Sequence, residues 1–287
     1  MIVFRACGGL GNQLFQYATA RRLAILLDSD LGVDLSWYRC TPPGDTPRNF
    51  ELFKYGIRLR PLMGSERIWA SFMRGRWAKV PILHRWRLYR ERECHFDPGL
   101  LRCSRGTYLA GFWQSYLYFN EIRSQLLTEL QPIEAMSDLD ANFADQMLRC
   151  ESVAVHIRRG DYISAESAAN AHGVSGLGYY QRALAELSRT VCSPILFVFS
   201  DDPAWTGQHL KLNAPMVHVS HHGPESAYAD LRLMTYCRHN IIANSSFSWW
   251  GAWLGQFEHK LVCAPKHWFL QKNMENADMI PLEWIRI

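Results

Sequence analysis

The sequence predicts an α/β protein built from two doubly wound halves, each a parallel sheet with helices on both faces. Three observations lead there. Short apolar runs of strand length alternate with stretches of helical periodicity in both parts of the chain. The ends of those apolar runs carry glycines, hydroxyls, arginines and carboxylates. At about 150 residues per domain, the 287 residues fit two domains. The seam falls between Pro132 and Ser152, and the halves are read as 1–150 and 151–287, facing each other across a cleft.

In chain order, Ile2 to Ala6 reads as a strand running into Cys7-Gly8-Gly9-Leu10-Gly11. Asn12 is placed to cap a helix in which Leu14, Phe15, Ala18, Arg22 and Ile25 recur at helical spacing. Leu31 to Leu35 is a second strand, completing the opening of a βαβ unit. Pro42, Pro43, Gly44 and Pro47 make a loop, and from there to about Arg105 the pattern is irregular. Leu117 to Leu130 has helical periodicity, ended by Pro132. Strands are then expected at Val153 to Ile157, Ile195 to Ser200, Met216 to Val219, Ile241 to Ala243 and Leu261 to Ala264. Helices are expected at Tyr179 to Ser188, Glu225 to Cys237 and Ser246 to Leu254.

Composition excludes several classes. Hydrophobic residues at 48% and charged residues at 20% describe a globular chain, not a disordered one. A net charge of +4 is too mild for a nucleic-acid binder but compatible with one phosphorylated ligand. The charge is uneven: Arg67, Arg74, Arg76, Lys79, Arg85, Arg87, Arg90 and Arg92 are interleaved with Trp69, Trp77 and Trp86. This segment reads either as a solvated helical surface or as an acceptor entrance or peripheral membrane contact. The eight cysteines have no CxxC spacing, so neither a disulfide framework nor a zinc ribbon is expected. With no signal-like start and no run of eighteen apolar residues, the expectation is a cytoplasmic protein without a transmembrane segment.

Four motifs could carry chemistry. Gly8 to Gln13 lets a ligand approach backbone and a helix N-terminus, although it is neither a dinucleotide fingerprint nor a P-loop. Val153 to Tyr162 delivers His156, Arg158, Arg159 and Asp161 to the carboxyl end of a buried strand, where adjacent arginines can form a fork for phosphate. Phe197 to Asp202 ends in Ser200, Asp201 and Asp202, which could accept from a ribose or a guanine edge, while one of the pair serves as helix cap before Pro203. Ile241 to Trp253 runs from a strand through Asn244, Ser245, Ser246, Phe247 and Ser248 into a helix, again an anion site at a helix start or plain capping.

Taken together, these segments resemble the bacterial α-1,2-fucosyltransferases of glycosyltransferase family 11. Gly8 to Ala18, Asp34 to Tyr38, Gly111 to Ser115, His156 to Tyr162, Phe199 to Asp202 and Asn244 to Gly251 carry the likeness. The resemblance implies a GT-B arrangement of two Rossmann-like domains, with an acceptor-side N-terminal half and a GDP-fucose-binding C-terminal half. It implies inverting transfer of L-fucose to the 2-hydroxyl of a terminal galactose in an oligosaccharide, with no cofactor and no required metal. Arg158 would hold the β-phosphate, joined by Arg159. His156 and one of Asp201 and Asp202 would hold guanine or ribose, with Ser200 beside them. Asn244, Ser245, Ser246, Phe247 and Ser248 would assist the phosphates. Gly9, Gly11, Asn12 and Gln13 would face fucose or acceptor. Asp161 is the choice for general base, with orientation of the arginines as its other role. Fucosyl transfer to another hydroxyl, a glycan-binding module and a nicotinamide-dependent oxidoreductase are the rivals. The last lacks its fingerprint, and a lectin would not explain paired arginines at a strand end.

Overall fold

The computed structural model describes residues 1–74, 86–160, 175–269 and 278–287. Asp161, and Arg76, Trp77, Lys79 and Arg85 of the basic segment, lie outside the described residues. The chain divides into two compact units, Met1–Gln131 with Asn276–Met279, and Pro132–Glu275 with Ile280–Ile287.

The first unit holds a five-stranded sheet in the order β3-β2-β1-β5-β4. Its strands are β1 (Ile2–Arg5), β2 (Leu31–Asp34), β3 (Arg60–Pro61), β4 (Arg87–Arg90) and β5 (Thr107–Ala110), all parallel. Between β1 and β2 runs α1 (Leu10–Leu26), and α2 (Ser36–Arg39) and α3 (Ser65–Arg74) follow β2 and β3. Gly9 takes the cap position of α1, so Asn12 lies inside the helix and not at its start. Gly8 sits at φ +76°, where a side chain would be strained, and a Cβ there would meet Asn12 Nδ2 at 2.7 Å. Val3, Leu62, Ala70, Met73, Trp86 and Tyr108 form a core beneath α3. The expected helix over 117–130 is broken: 3₁₀ turns at Tyr116–Tyr118 and Asn120–Ile122 precede a short α4 (Arg123–Glu129). Ser115 caps the first of these turns, accepting from the Leu117 N–H at 3.4 Å.

The second unit holds a six-stranded parallel sheet in the order β11-β10-β9-β6-β7-β8. Its strands are β6 (Ser152–Ile157), β7 (Ile195–Ser200), β8 (Met216–Val219), β9 (His239–Ile241), β10 (Val262–Ala264) and β11 (Ile285–Arg286). The helices are α5 (Asp138–Leu148), α6 (Leu177–Leu187), α7 (Pro203–His209), α8 (Ala227–Met234) and α9 (Ser246–Leu254). Side chains of β6 alternate between two cores, as strand geometry requires. Val153, Val155 and Ile157 face Tyr180, Ala183 and Leu187 of α6, whereas Ala154 faces Ala144 and Met147 of α5 with Leu233 and Met234 of α8. Because α5 packs Ala144 and Met147 into this second core, the compact units divide at 131/132 where the sequence reading placed 150/151. β9 begins two residues before the expected strand, since His239 and Asn240 enter the ladder with Val153 and Ala154. Among the described residues, no helix is long and apolar enough to cross a membrane.

Candidate functional site: the carboxyl edge of each sheet

In the second unit the chain moves from β6 outward through β7 and β8, then returns to place β9 on the other side of β6. The carboxyl ends of β6 and β9 therefore flank a topological switch point, the crevice where open α/β sheets take ligands. Arg158 and Arg159 follow β6, and Asn244, Ser245 and Ser246 follow β9 into the start of α9.

The two arginines have different surroundings. Arg158 Nη1 lies 3.1 Å from Asp201 Oδ2, and its side chain remains 19% exposed. Asp201 Oδ1 accepts the Arg159 N–H at 2.9 Å, so one carboxylate fixes both the loop and the first guanidinium. A Cβ on Gly160 would stand 2.7 Å from Asp201 Oδ2, so only glycine leaves that carboxylate in place. Arg159 instead lies over the Trp205 ring, 3.6 Å from its centroid, with Nε 3.5 Å from Asp202 Oδ2. Asp202 also caps α7 by accepting the Trp205 N–H at 3.1 Å, and Ser200 Oγ accepts the Asp202 N–H at 3.0 Å. The capping expected of one aspartate thus falls to Asp202. Asp201 instead braces the arginine loop, with its side chain 23% exposed. Trp205 has no place in the sequence reading, although an aspartate cap followed by Pro203 fixes where its indole begins.

His156 is buried beneath Arg158, with its ring 5.3 Å from that of Phe247. Burial, reinforced by the nearby Arg158 charge, pulls its pKa down to about 3. The imidazole is neutral at working pH, and its Nδ1 is buried with no hydrogen-bond partner among the described residues. Tyr180 fixes the strand here by donating to the His156 carbonyl at 3.1 Å.

The segment after β9 divides between scaffold and surface. Asn244 is buried, its Nδ2 donating to the Trp268 carbonyl at 3.2 Å and its Oδ1 accepting from Ser175 at 3.3 Å. Ser248 is fully buried, and its hydroxyl reaches the carbonyls of Ala243 and Ser245 at 3.3 and 3.2 Å. Both side chains hold the strand-to-helix turn. Ser245 is also buried at the cap position of α9, while Ser246 and Phe247 stay half-buried at its first turn.

In the first unit the switch point lies between β1 and β5. Gln114, after β5, donates to Asn12 Oδ1 at 2.7 Å across it. Asn12 is half-buried, and Gly9 is half-buried beside the Arg48 side chain. Gly11 and Gln13 are buried. Gln13 Nε2 donates to the carbonyls of Gly8 and Asn49 at 3.0 and 2.8 Å, and its Oε1 accepts the Glu51 N–H at 2.8 Å. The Gln13 amide thus ties the glycine turn to the loop before Leu52. Glu91, after β4, accepts the N–H groups of Phe112 at 2.6 Å and Trp113 at 3.0 Å. Burial pushes its pKa up against those two hydrogen bonds.

Two doubly wound α/β units make up the architecture of the GT-B fold class. Residues 68–287 match the family described as Glycosyl transferase family 11. The chain belongs to that family. It is 33% identical over 100% of its length to an alpha-1,2-colitosyltransferase of Escherichia coli, covering 99% of that protein. It is 24% identical, again over 100% of its length and 77% of the other, to galactoside alpha-(1,2)-fucosyltransferase 2 of Rattus norvegicus. Among solved structures, NodZ alpha-1,6-fucosyltransferase soaked with GDP-fucose shares the fold at a TM-score of 0.50 and 15% identity, over 88% of this chain and 92% of that one.

Proposed function

We propose that the enzyme transfers L-fucose from GDP-fucose to the 2-hydroxyl of a terminal galactose, with inversion at the anomeric carbon. The observation that carries this reading is Arg158, braced by Asp201 at the switch point of the second unit and standing above a neutral, buried His156. In the reaction the bond from C1 to the β-phosphate oxygen breaks as the galactose oxygen bonds to C1. Negative charge then grows on the diphosphate, where a preorganised guanidinium acts most strongly. The half-exposed start of α9 at Ser246 adds backbone N–H groups to the same anion. The orphaned Nδ1 of His156 suits a purine or ribose partner. The galactose proton passes to a carboxylate, for which Asp161 is proposed.

On this reading the second unit binds the donor and the first the acceptor, no divalent metal takes part in transfer, and the enzyme works in the bacterial cytoplasm. α3, with Met63 just before it, exposes Met63, Ile68 and Phe72. With Arg67 exposed beside them, this surface suits the entrance for a lipid-linked acceptor. A second reading, transfer of the 3-deoxy analogue colitose from its GDP ester, is favoured by the 33% identity to the colitosyltransferase.

The test is incubation of the enzyme with GDP-fucose or GDP-colitose and a panel of galactosides, in excess EDTA, with linkage assignment by NMR. Fucosylated product linked α-1,2 is the expected result. Colitose transfer alone selects the second reading. Glycan binding without turnover, or activity abolished by EDTA and restored by manganese, defeats the proposal.

A further inference from the structure

A separate cluster lies where α5, the loop after β8 and α8 meet. Ser137 caps α5 by accepting the Asp140 N–H at 3.1 Å, which fixes Asp140 in the first turn. The Asp140 side chain is only 4% exposed, and its Oδ1 receives two imidazoles: His221 Nε2 at 2.8 Å and His222 Nε2 at 3.0 Å. These three donor atoms all lie within 4.8 Å of one another. The opposite nitrogen of His222, Nδ1, lies 2.8 Å from Asp230 Oδ1 on α8. Phe143 stacks on the His221 ring at 5.2 Å and 5° and fixes its plane.

We propose that Asp140, His221 and His222 form a binding site for one zinc-like divalent cation, with Asp230 as the carboxylate that orients His222. Imidazole nitrogen and carboxylate oxygen are the donor set of such ions, and three protein ligands leave a fourth position for water. A carboxylate on the far nitrogen of a ligating histidine is the usual outer partner of these sites, because it fixes the tautomer and the ring direction. Tetrahedral bonds of about 2.0–2.2 Å put donor atoms roughly 3.3 Å apart, so the two spacings to Asp140 Oδ1, 2.8 and 3.0 Å, need widen by only a few tenths of an ångström. Both nitrogens of His222 thus face carboxylate oxygens, Nε2 that of Asp140 and Nδ1 that of Asp230. A cation takes the place of the ring protons aimed at Asp140 Oδ1. Arg232 Nη2 lies 3.9 Å from the other oxygen, Oδ2, and balances that side of the carboxylate. The guanidinium is held there by the Glu134 carbonyl, 2.7 Å from its Nη1, and Tyr228 donates to the Glu134 carboxylate. The site contains none of Arg158, Arg159 or His156. Its effect is to staple α5 and α8 to the loop that follows β8.

The test is a titration of chelator-stripped full-length enzyme with cobalt(II), read by visible absorption and calorimetry, followed by zinc displacement and thermal melting. The eight free cysteines make the spectrum decisive, since thiolate ligation adds an intense near-ultraviolet charge-transfer band. The expected result is one equivalent with nitrogen–oxygen d–d bands, no thiolate band, and a rise in Tm on loading. His222→Gln should abolish that equivalent. Asp230→Asn should weaken it by about 10–100-fold. No stoichiometric binding, a thiolate band at the first equivalent, or undiminished affinity in His222→Gln would overturn the site. None of these readouts depends on transferase activity.

Discussion

Replacing Arg158 and Arg159 separately with lysine distinguishes a fork aimed at the donor from a guanidinium built into the scaffold. Lysine keeps the charge and removes the planar pair of donors. Arg158 Nη1 lies 3.1 Å from Asp201 Oδ2, and the side chain sits at a partly open edge, 19% exposed. Loss of one preorganised donor to a developing anion costs about a hundred- to a thousandfold in turnover, or roughly 2.7–4 kcal/mol. Arg158→Lys should therefore lose that much kcat while melting close to the parent. Arg159 is used differently, 3.6 Å from the Trp205 centroid and 3.5 Å from Asp202. A partly desolvated guanidinium–indole stack contributes about 1–2 kcal/mol. For a unit of this size that corresponds to about 2–8 °C in Tm. Arg159→Lys should lower Tm by such an amount and reduce kcat by less than tenfold. The assay is GDP release under saturating donor and acceptor, with melting curves on the same samples. Full activity in Arg158→Lys together with a dead, normally melting Arg159→Lys would show that the phosphate fork belongs to Arg159.

Three further substitutions probe the scaffold of both units. Gly160→Ala drives a methyl into Asp201 Oδ2, 2.7 Å away, so turnover should fall at least tenfold with GDP affinity reduced, as measured by calorimetry; unchanged affinity would remove Asp201 as the brace of Arg158. Gln13→Ala removes its hydrogen bonds to the Gly8 and Asn49 carbonyls and from the Glu51 N–H, leaving Tyr38 as donor to Gly8, at a cost of about 1–3 kcal/mol in urea unfolding; a KM defect for the acceptor with normal stability would place Gln13 on the sugar side. His156 titrates near 6.5 when unfolded but only near 3 when folded, so between those values the unfolded chain holds the extra proton and stability falls with falling pH. The slope attributable to it approaches about 1.4 kcal/mol per pH unit well below 6.5, and His156→Gln should flatten the dependence between about pH 4 and 5.5 by nearly that amount; an unaltered slope would mean that the imidazole is solvated.

The sequence alone determined the alternation of strands and helices and the placement of Arg158, Arg159, Asp201 and Asp202 at strand ends. Both follow from local patterns: an apolar run of strand length, an abrupt polar end, and a helix start with Pro203. Where the local pattern is weak it failed, as at β3 and β4, whose half-exposed Arg60-Pro61 and Arg87–Arg90 carry no apolar run. The sheet order, and with it the position of the two switch points, came only from the tertiary structure, since strand pairing joins residues far apart in the chain. The same holds for the fate of each polar side chain. Gln13 and Ser248 look like ligands in sequence, yet the structure gives Gln13 the backbone of residues 49 and 51, and Ser248 the carbonyls of its own turn. Adjacent arginines look equivalent, but alternation at the end of β6 turns one toward Asp201 and the other onto Trp205. Asp140 and His221 stand 81 residues apart and carry no motif. A hydrogen bond or a cation needs atoms within about 3 Å, and for residues so distant in sequence only the packing of α5 and α8 against β8 supplies that proximity.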